Sequence, residues 1–243
     1  MTDLLPWNSE VRSWVNACER KVQTAYSRLP WKPLDWKTHS HDYNFGDITA
    51  WPLDASCITL GGDTIFLGSV KAAVNIEAVE VEYTTKISHV VTLCGNEIQV
   101  RGAPSDLPTY FERCGVAHIW WFIEDPTVKD PNTELAKHRQ SAGECLAFWK
   151  DLMHVLWDVA SYYWNHDIRF TPLFHCFGGI NRSTAALCAW LVIWWDLSVE
   201  DAIDCVLQQR PSLRPWKRRA YVLYALRSLE HHKHAWRWEF ETS

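Results

Sequence analysis

Between positions 175 and 183 the chain reads His175-Cys176-Phe177-Gly178-Gly179-Ile180-Asn181-Arg182-Ser183. A cysteine and an arginine separated by five residues, two of them glycine, can curl so that successive backbone N–H groups converge on one point. That makes a nest for a tetrahedral oxyanion, and the positive end of a following helix adds to its field. A thiol at such a place loses its proton and becomes a nucleophile. The planar fork of Arg182 would grip two oxygens of the anion, positioning it for in-line attack and stabilising the charge of the transition state. Lysine, a point charge, could not do this bidentately.

The surrounding elements are the ones such a loop needs. Phe170 to His175 is a short apolar strand, and Ser183 to Leu197 an apolar helix starting directly after the loop. Upstream, Cys57 to Leu60 and Thr64 to Leu67 flank Gly61-Gly62 in a hairpin signature. Lys71 to Val81 predicts a helix, Ile87 to Leu93 a buried strand, and Ile98 to Val100 a short edge. Leu107 to Cys114 predicts a helix stopped by Gly115, and Val116 to Ile123 a strand buried on both faces. Phe148, Leu152, Val155, Leu156, Val159 and Tyr163 recur at helical spacing. Ser198 three residues before Asp201 starts a further helix that must stop near Pro211, and Trp216 to Glu230 predicts the last one. The alternation implies an α/β fold: a mostly parallel central sheet with helices on both faces, binding ligands beyond the carboxyl ends of its strands. Residues 1–55, with Pro6, Pro30, Pro33, Pro52 and five tryptophans, are expected to be an extension packed on a catalytic domain of residues 56–243.

The nine-residue segment resembles the C-x5-R signature of the cysteine-dependent protein tyrosine phosphatase superfamily, in the H-C-x-x-G-x-x-R-S form of its dual-specificity branch. Asp63 to Ser69 followed by Ile87 to Val91 looks like that family's opening strand, helix and strand. Arg210-Pro211-Ser212-Leu213-Arg214-Pro215 is similar to its R-P-x-x-x-P element. The resemblance spans about Cys57 to Glu230. It implies a phosphatase-like fold, with Cys176 as a nucleophile forming a phosphocysteine and Arg182 as phosphate ligand. Ser183 would be the hydroxyl that helps the thiolate leave, His175 would hold the cysteine, and the amides of Phe177, Gly178, Gly179, Ile180, Asn181 and Arg182 would form the cradle. The family also uses an aspartic acid on a loop as general acid. Asp125, at the end of the His118 to Glu124 run, matches in context but stands further from the cysteine than in family members. An insertion spent on the 126–143 loop and a longer helix would reconcile the two, with Asp130 as the reserve choice. The resemblance implies no cofactor and no metal.

Composition narrows the partners. A net charge of -5 argues against a chain that coats nucleic acid, although a local basic patch stays open. Eight cysteines without a C-x-x-C pair, and no histidines at zinc spacing, point to reduced thiols rather than a disulfide framework or a metal site. The longest apolar run, Ala185 to Trp195, is far short of the roughly 20 residues that span a bilayer, and the N-terminus lacks a leader pattern, so a cytoplasmic protein is expected. Arg214, Lys217, Arg218 and Arg219 read as a solvated helix face, and His231, His232 and His234 as an exposed helix end. The expected substrate is a phosphoprotein bearing phosphotyrosine and phosphoserine or phosphothreonine. A phosphatase of RNA 5′ ends is the second enzyme reading, on Asn181 before Arg182. A phosphate-binding scaffold with a vestigial site is the third, on the displaced acid. A phosphoinositide is disfavoured because residues 177–181 carry no lysine or arginine. Oligomeric state has no signature in the sequence.

Overall fold

The computed structural model describes residues 52–94, 104, 107–121, 149–213 and 220–242. The extension up to residue 51, the Ile98 to Val100 edge, Asp125, Asp130, the 126–143 loop and the Arg214 to Arg219 cluster lie outside the described residues. The elements in chain order are strands β1 (Ala55–Leu60) and β2 (Asp63–Gly68), helices α1 (Val70–Ala73) and α2 (Ile76–Tyr83), strand β3 (His89–Thr92), helix α3 (Leu107–Arg113) and strand β4 (Ala117–Trp120). Helix α4 (149–165), strand β5 (Pro172–His175) and helices α5 (Arg182–Trp194), α6 (Val199–Gln209) and α7 (Ala220–Thr242) complete them.

The five strands among the described residues form one sheet in the order β1-β2-β5-β3-β4. β2, β5, β3 and β4 run parallel, and β1 joins antiparallel to β2 through the Gly61-Gly62 turn, where both glycines take positive φ. The two inner strands β3 and β5 are short and buried at every position, as expected of a sheet covered on both sides, whereas β4, expected to be buried on both faces, leaves Trp120 41% exposed. Alternation along β3 shows the two covers. Val90 sits in register with Leu173 and His118, on the face where Tyr83 of α2 meets Phe66 edge-on and Phe111 of α3 lies 4.7 Å from the His118 ring. His89 points the other way, into an aromatic wall made by Tyr163 of α4 and Phe170, each 5.1 Å from its ring. Trp190 of α5 closes that wall against Phe170.

Two expectations need correction. The helix expected over Lys71 to Val81 is two helices, because Asn75 leaves helical backbone and its side-chain amide donates to the Lys71 carbonyl at 2.8 Å. That local bond competes with the helical ladder, as short polar side chains do. The last helix runs on past Glu230 to Thr242, so His231, His232 and His234 lie within it rather than at its end. Its apolar face continues through Trp236 and Phe240, both buried, and Phe240 stacks on His154 of α4 at 4.6 Å. Ser198 behaves as expected: its hydroxyl accepts the Asp201 N–H at 3.0 Å and caps α6. Arg210, at the end of α6, is buried and binds the Asp54 carboxylate and the Leu67 carbonyl, tying α6 to the β1–β2 edge of the sheet.

Candidate active site

β5 lies at the middle of the sheet with β2 and β3 as parallel neighbours, so its carboxyl end opens where ligands of such sheets bind. Cys176 is the first residue past that end. The strand hydrogen bonds run up to it, with the Leu93 N–H donating to the His175 carbonyl at 2.9 Å. The loop then turns over the end of β2: the Val70 N–H donates to the Phe177 carbonyl at 3.0 Å, and Gly179 takes φ +65°. A Cβ on Gly179 would stand 2.7 Å from the carbonyl carbon and oxygen of Gly68 and 2.8 Å from the Ser69 nitrogen, all backbone atoms unable to move aside. Glycine is therefore required at 179 twice, for its φ and for the close approach. Gly179→Ala should lower stability by about 2–4 kcal/mol and lower kcat sharply. Denaturant unfolding and an aryl phosphate assay check the two effects.

The chain enters α5 at Arg182. Asn181, at the N-cap position, makes no side-chain cap bond to the helix, unlike Ser198 on α6. The first amides of any helix have no partner within it, so the turn made by Arg182, Ser183 and Thr184 presents N–H groups and the positive end of the helix to whatever occupies the loop. Cys176 is only 2% exposed, yet its sulfur faces this turn: Sγ lies 3.3 Å from the Ser183 Oγ. Arg182 and Ser183 are buried as well, whereas Ile180 at the loop's tip is 47% exposed. The thiol thus sits at the floor of the loop, with the serine hydroxyl beside it and a guanidinium next in sequence.

Behind the thiol lies a chain of buried polar side chains contributed by three strands. His175 Nδ1 lies 3.3 Å from the Cys176 carbonyl oxygen, and its Nε2 lies 2.6 Å from the Thr92 hydroxyl. The same hydroxyl lies 2.8 Å from Nε2 of His118. One proton arrangement satisfies all three contacts. His118 Nε2–H donates to Thr92, Thr92 O–H donates to His175 Nε2, and His175 Nδ1–H donates to the Cys176 carbonyl. Burial pushes His175 down to about 4, helped by the Arg182 charge and opposed by its bond to Cys176. Burial pushes His118 down to about 3, with His175 adding to it. Both rings are therefore neutral at physiological pH, as this arrangement needs.

Of the expected site residues, the loop from His175 to Ser183 comes together as one unit. The expected acid, Asp125, and its reserve, Asp130, lie outside the described residues. Thr92 and His118 were not singled out from the sequence. His118 stands in the apolar run that marks a strand, and only the β3–β4–β5 register brings the two histidines to one threonine. Thr92→Val, close in shape, should cost about 1–3 kcal/mol by leaving two buried ring nitrogens without their partner. It should also lower kcat by about tenfold with little change in KM, because it loosens the support of Cys176, the expected nucleophile, without touching Arg182, the expected phosphate ligand.

No family model and no curated protein matches the chain. Among solved structures it is similar to human DUSP28, at 19% identity and a TM-score of 0.44 over 74% of this chain and 95% of that one. It is similar also to PTPMT1 in complex with PI(5)P, at 18% identity and a TM-score of 0.46 over 70% of this chain and 92% of that one. A mouse putative dual specificity phosphatase complexed with zinc tungstate shows 18% identity and a TM-score of 0.46, over 77% of this chain and 94% of that one.

Proposed function

We propose that the chain is a cysteine-dependent, metal-independent phosphatase that hydrolyses phosphomonoesters of phosphoproteins through a phosphocysteine. The observation that carries the reading is the Cys176 sulfur lying 3.3 Å from the Ser183 hydroxyl at a helix N-terminus without a side-chain cap, with buried Arg182 between them in sequence. In the first step the Cys176 thiolate attacks phosphorus as the bond to the leaving oxygen breaks, and Asp125, or Asp130 in reserve, gives that oxygen its proton. Arg182 and the loop amides hold the three other oxygens throughout. In the second step water attacks the phosphocysteine, the same carboxylate takes the water's proton, and the sulfur departs as thiolate while Ser183 donates a hydrogen bond to it. Phosphate leaves and the starting charges are restored.

The reading is tested by mixing the enzyme with a phosphorus-32-labelled phosphotyrosine peptide and quenching in acid within the first turnover. Label on the peptide containing Cys176 is the expected result. Turnover without label at residue 176 overturns the reading. Turnover of triphosphate-ended RNA far faster than of the phosphopeptide would retain the chemistry and replace the substrate class. An aryl phosphate with a good leaving group needs no general acid. Asp125→Ala should therefore slow a phosphoserine peptide far more than the aryl ester, and equal effects would remove Asp125 from the mechanism.

A further inference from the structure

Arg210 takes no part in the chemistry proposed above, yet it is a cation left only 5% exposed. Its main chain is fixed on both sides. The Arg210 N–H donates to the Val206 carbonyl at 2.9 Å, and the Arg210 carbonyl accepts the Leu213 N–H at 3.0 Å. From there the guanidinium bridges two acceptors at the ends of two strands. Nη1 donates to the Leu67 carbonyl of β2 at 3.3 Å, and Nη2 pairs with the carboxylate of Asp54, the residue just ahead of β1.

These two acceptors flank the segment on which the Cys176 loop rests. The Asp54 carbonyl accepts the Ser69 N–H at 3.1 Å, and the Tyr83 hydroxyl holds the next carbonyl, that of Ala55, at 3.0 Å. Gly68 is enclosed so closely that a Cβ there would lie 2.7 Å from the Ala72 Cβ, 3.1 Å from the Asp54 oxygen and 3.3 Å from Leu173 of β5. The Gly68–Ser69 peptide is also the surface that Gly179 leans on, and the Val70 N–H beside it holds the Phe177 carbonyl. Arg210 and Asp54 therefore form the base, Leu67 to Val70 the middle, and Phe177 to Gly179 the top of one continuous stack. Above the base the layers meet backbone to backbone, and packing this close passes a shift below on to the loop above.

Stability alone does not account for a guanidinium at the base. Replacing a buried ion pair by apolar residues is often neutral or stabilising. The compensation for burial is also thin here: the Asp54 side chain is 41% exposed, and the buried Arg210 Nε has no acceptor among the described residues. What a planar fork supplies is a fixed separation between its two acceptors, which neither an apolar side chain nor an ammonium can set.

We propose that Arg210 is a positioning residue for the phosphate loop, acting through Asp54 and the Leu67 to Val70 segment to hold Phe177, Gly178 and Gly179 in place as a phosphate cradle. The kinetic part of this proposal rests on the phosphatase reading, and the binding part does not.

The test uses the full chain carrying Arg210→Met, Asp54→Ala or both, well below the melting temperature of each. Inorganic phosphate is the probe in two measurements: competitive inhibition of aryl phosphate hydrolysis, and protection of Cys176 from alkylation by iodoacetamide, followed on the Cys176 peptide by mass spectrometry. Arg210→Met keeps an unbranched apolar stem and should leave the melting temperature almost unchanged. It should still lower kcat about tenfold and weaken phosphate about fivefold in both measurements, because a small displacement of the cradle is enough for that. The double variant should lose no more than Arg210→Met, since the two side chains act as one unit. It also carries the test should Asp54→Ala alone fail to fold around an unpaired buried cation. Asp196→Ala is the control for lost stability. Asp196 sits at φ +57° past the far end of α5 and pairs with Lys233 at 2.8 Å, so its loss should lower the melting temperature and leave kcat and phosphate binding unchanged. Turnover by the parent tests the phosphatase reading and protection tests this one, so either can fail without the other. A folded Arg210→Met protein that binds phosphate as the parent does would overturn the proposal. A further tenfold loss in the double variant, or a parent whose Cys176 phosphate does not protect, would overturn it too.

Discussion

Cys176→Ser should lower kcat on an aryl phosphate by at least about 10⁴-fold while leaving the fold and the affinity for the substrate almost unchanged. The two side chains differ by one atom, and the serine hydroxyl can keep the contact with Ser183 that the sulfur makes at 3.3 Å. What disappears is the sulfur nucleophile of the proposed mechanism. A serine hydroxyl remains protonated at neutral pH even beside a helix N-terminus, whereas a thiol in that field can ionise. The loop amides and Arg182 remain, so inorganic phosphate should still compete for the site. Arg182→Lys should behave differently, losing about 10²- to 10³-fold in kcat together with phosphate affinity, because an ammonium cannot hold two oxygens at once. The pair of variants thus separates the nucleophile from the clamp: one changes kcat alone, the other kcat and binding together. Retention of more than about 1% of activity in Cys176→Ser would end the assignment of the nucleophile.

The second large effect is on stability in mild acid. His89, His118 and His175 are all buried, and burial holds them at about 3, 3 and 4, against an ordinary value of 6.5. Each is a base whose folded pKa is depressed, so between pH 6.5 and about 4 the unfolded chain binds protons that the folded chain refuses. Unfolding free energy then falls as pH falls, by about 1.4 kcal/mol per pH unit for each histidine. The three together would remove on the order of 6 kcal/mol between pH 6.5 and 5, comparable to the whole stability of many domains. Stability should therefore fall steeply from pH 6.5 to 5, with unfolding at pH 5 taking up about three protons, and it should be flat above pH 7 as far as these groups are concerned. Denaturant titrations at pH 5, 5.5, 6 and 7 measure the slope.

His89 allows a sharper form of this experiment. Its Nδ1 lies 3.1 Å from the Ser88 hydroxyl, its Nε2 is buried with no hydrogen-bond partner among the described residues, and its ring is flanked by Tyr163 and Phe170. His89→Phe replaces a ring in an aromatic wall by a slightly larger one and removes a proton acceptor. It should reduce the proton uptake from about three toward two and make the variant more stable than the parent at pH 5.5. An unchanged pH slope would show that the loss of stability in acid has another source.

The reach of sequence reasoning here follows from where the parts of the site come from. The loop from His175 to Ser183 is nine consecutive residues, and its proposed function rests on their own types: a cysteine at its start, glycines that permit the curl, an arginine at the first turn of a helix. Such a unit is readable before any fold is known, and the apolar runs at strand and helix spacing place it correctly at the carboxyl end of a central parallel strand. Helix boundaries were less readable, because they turn on single local bonds such as Asn75 to the Lys71 carbonyl, or on distant partners such as Phe240 against His154. Thr92 serves the loop from 83 residues away, and His118 reaches it only through Thr92. Contacts of this kind depend on strand register and helix packing, which arise from the burial of the whole apolar surface at once. No stretch of residues carries them by itself, and tertiary structure alone assembled the His118–Thr92–His175 chain behind Cys176.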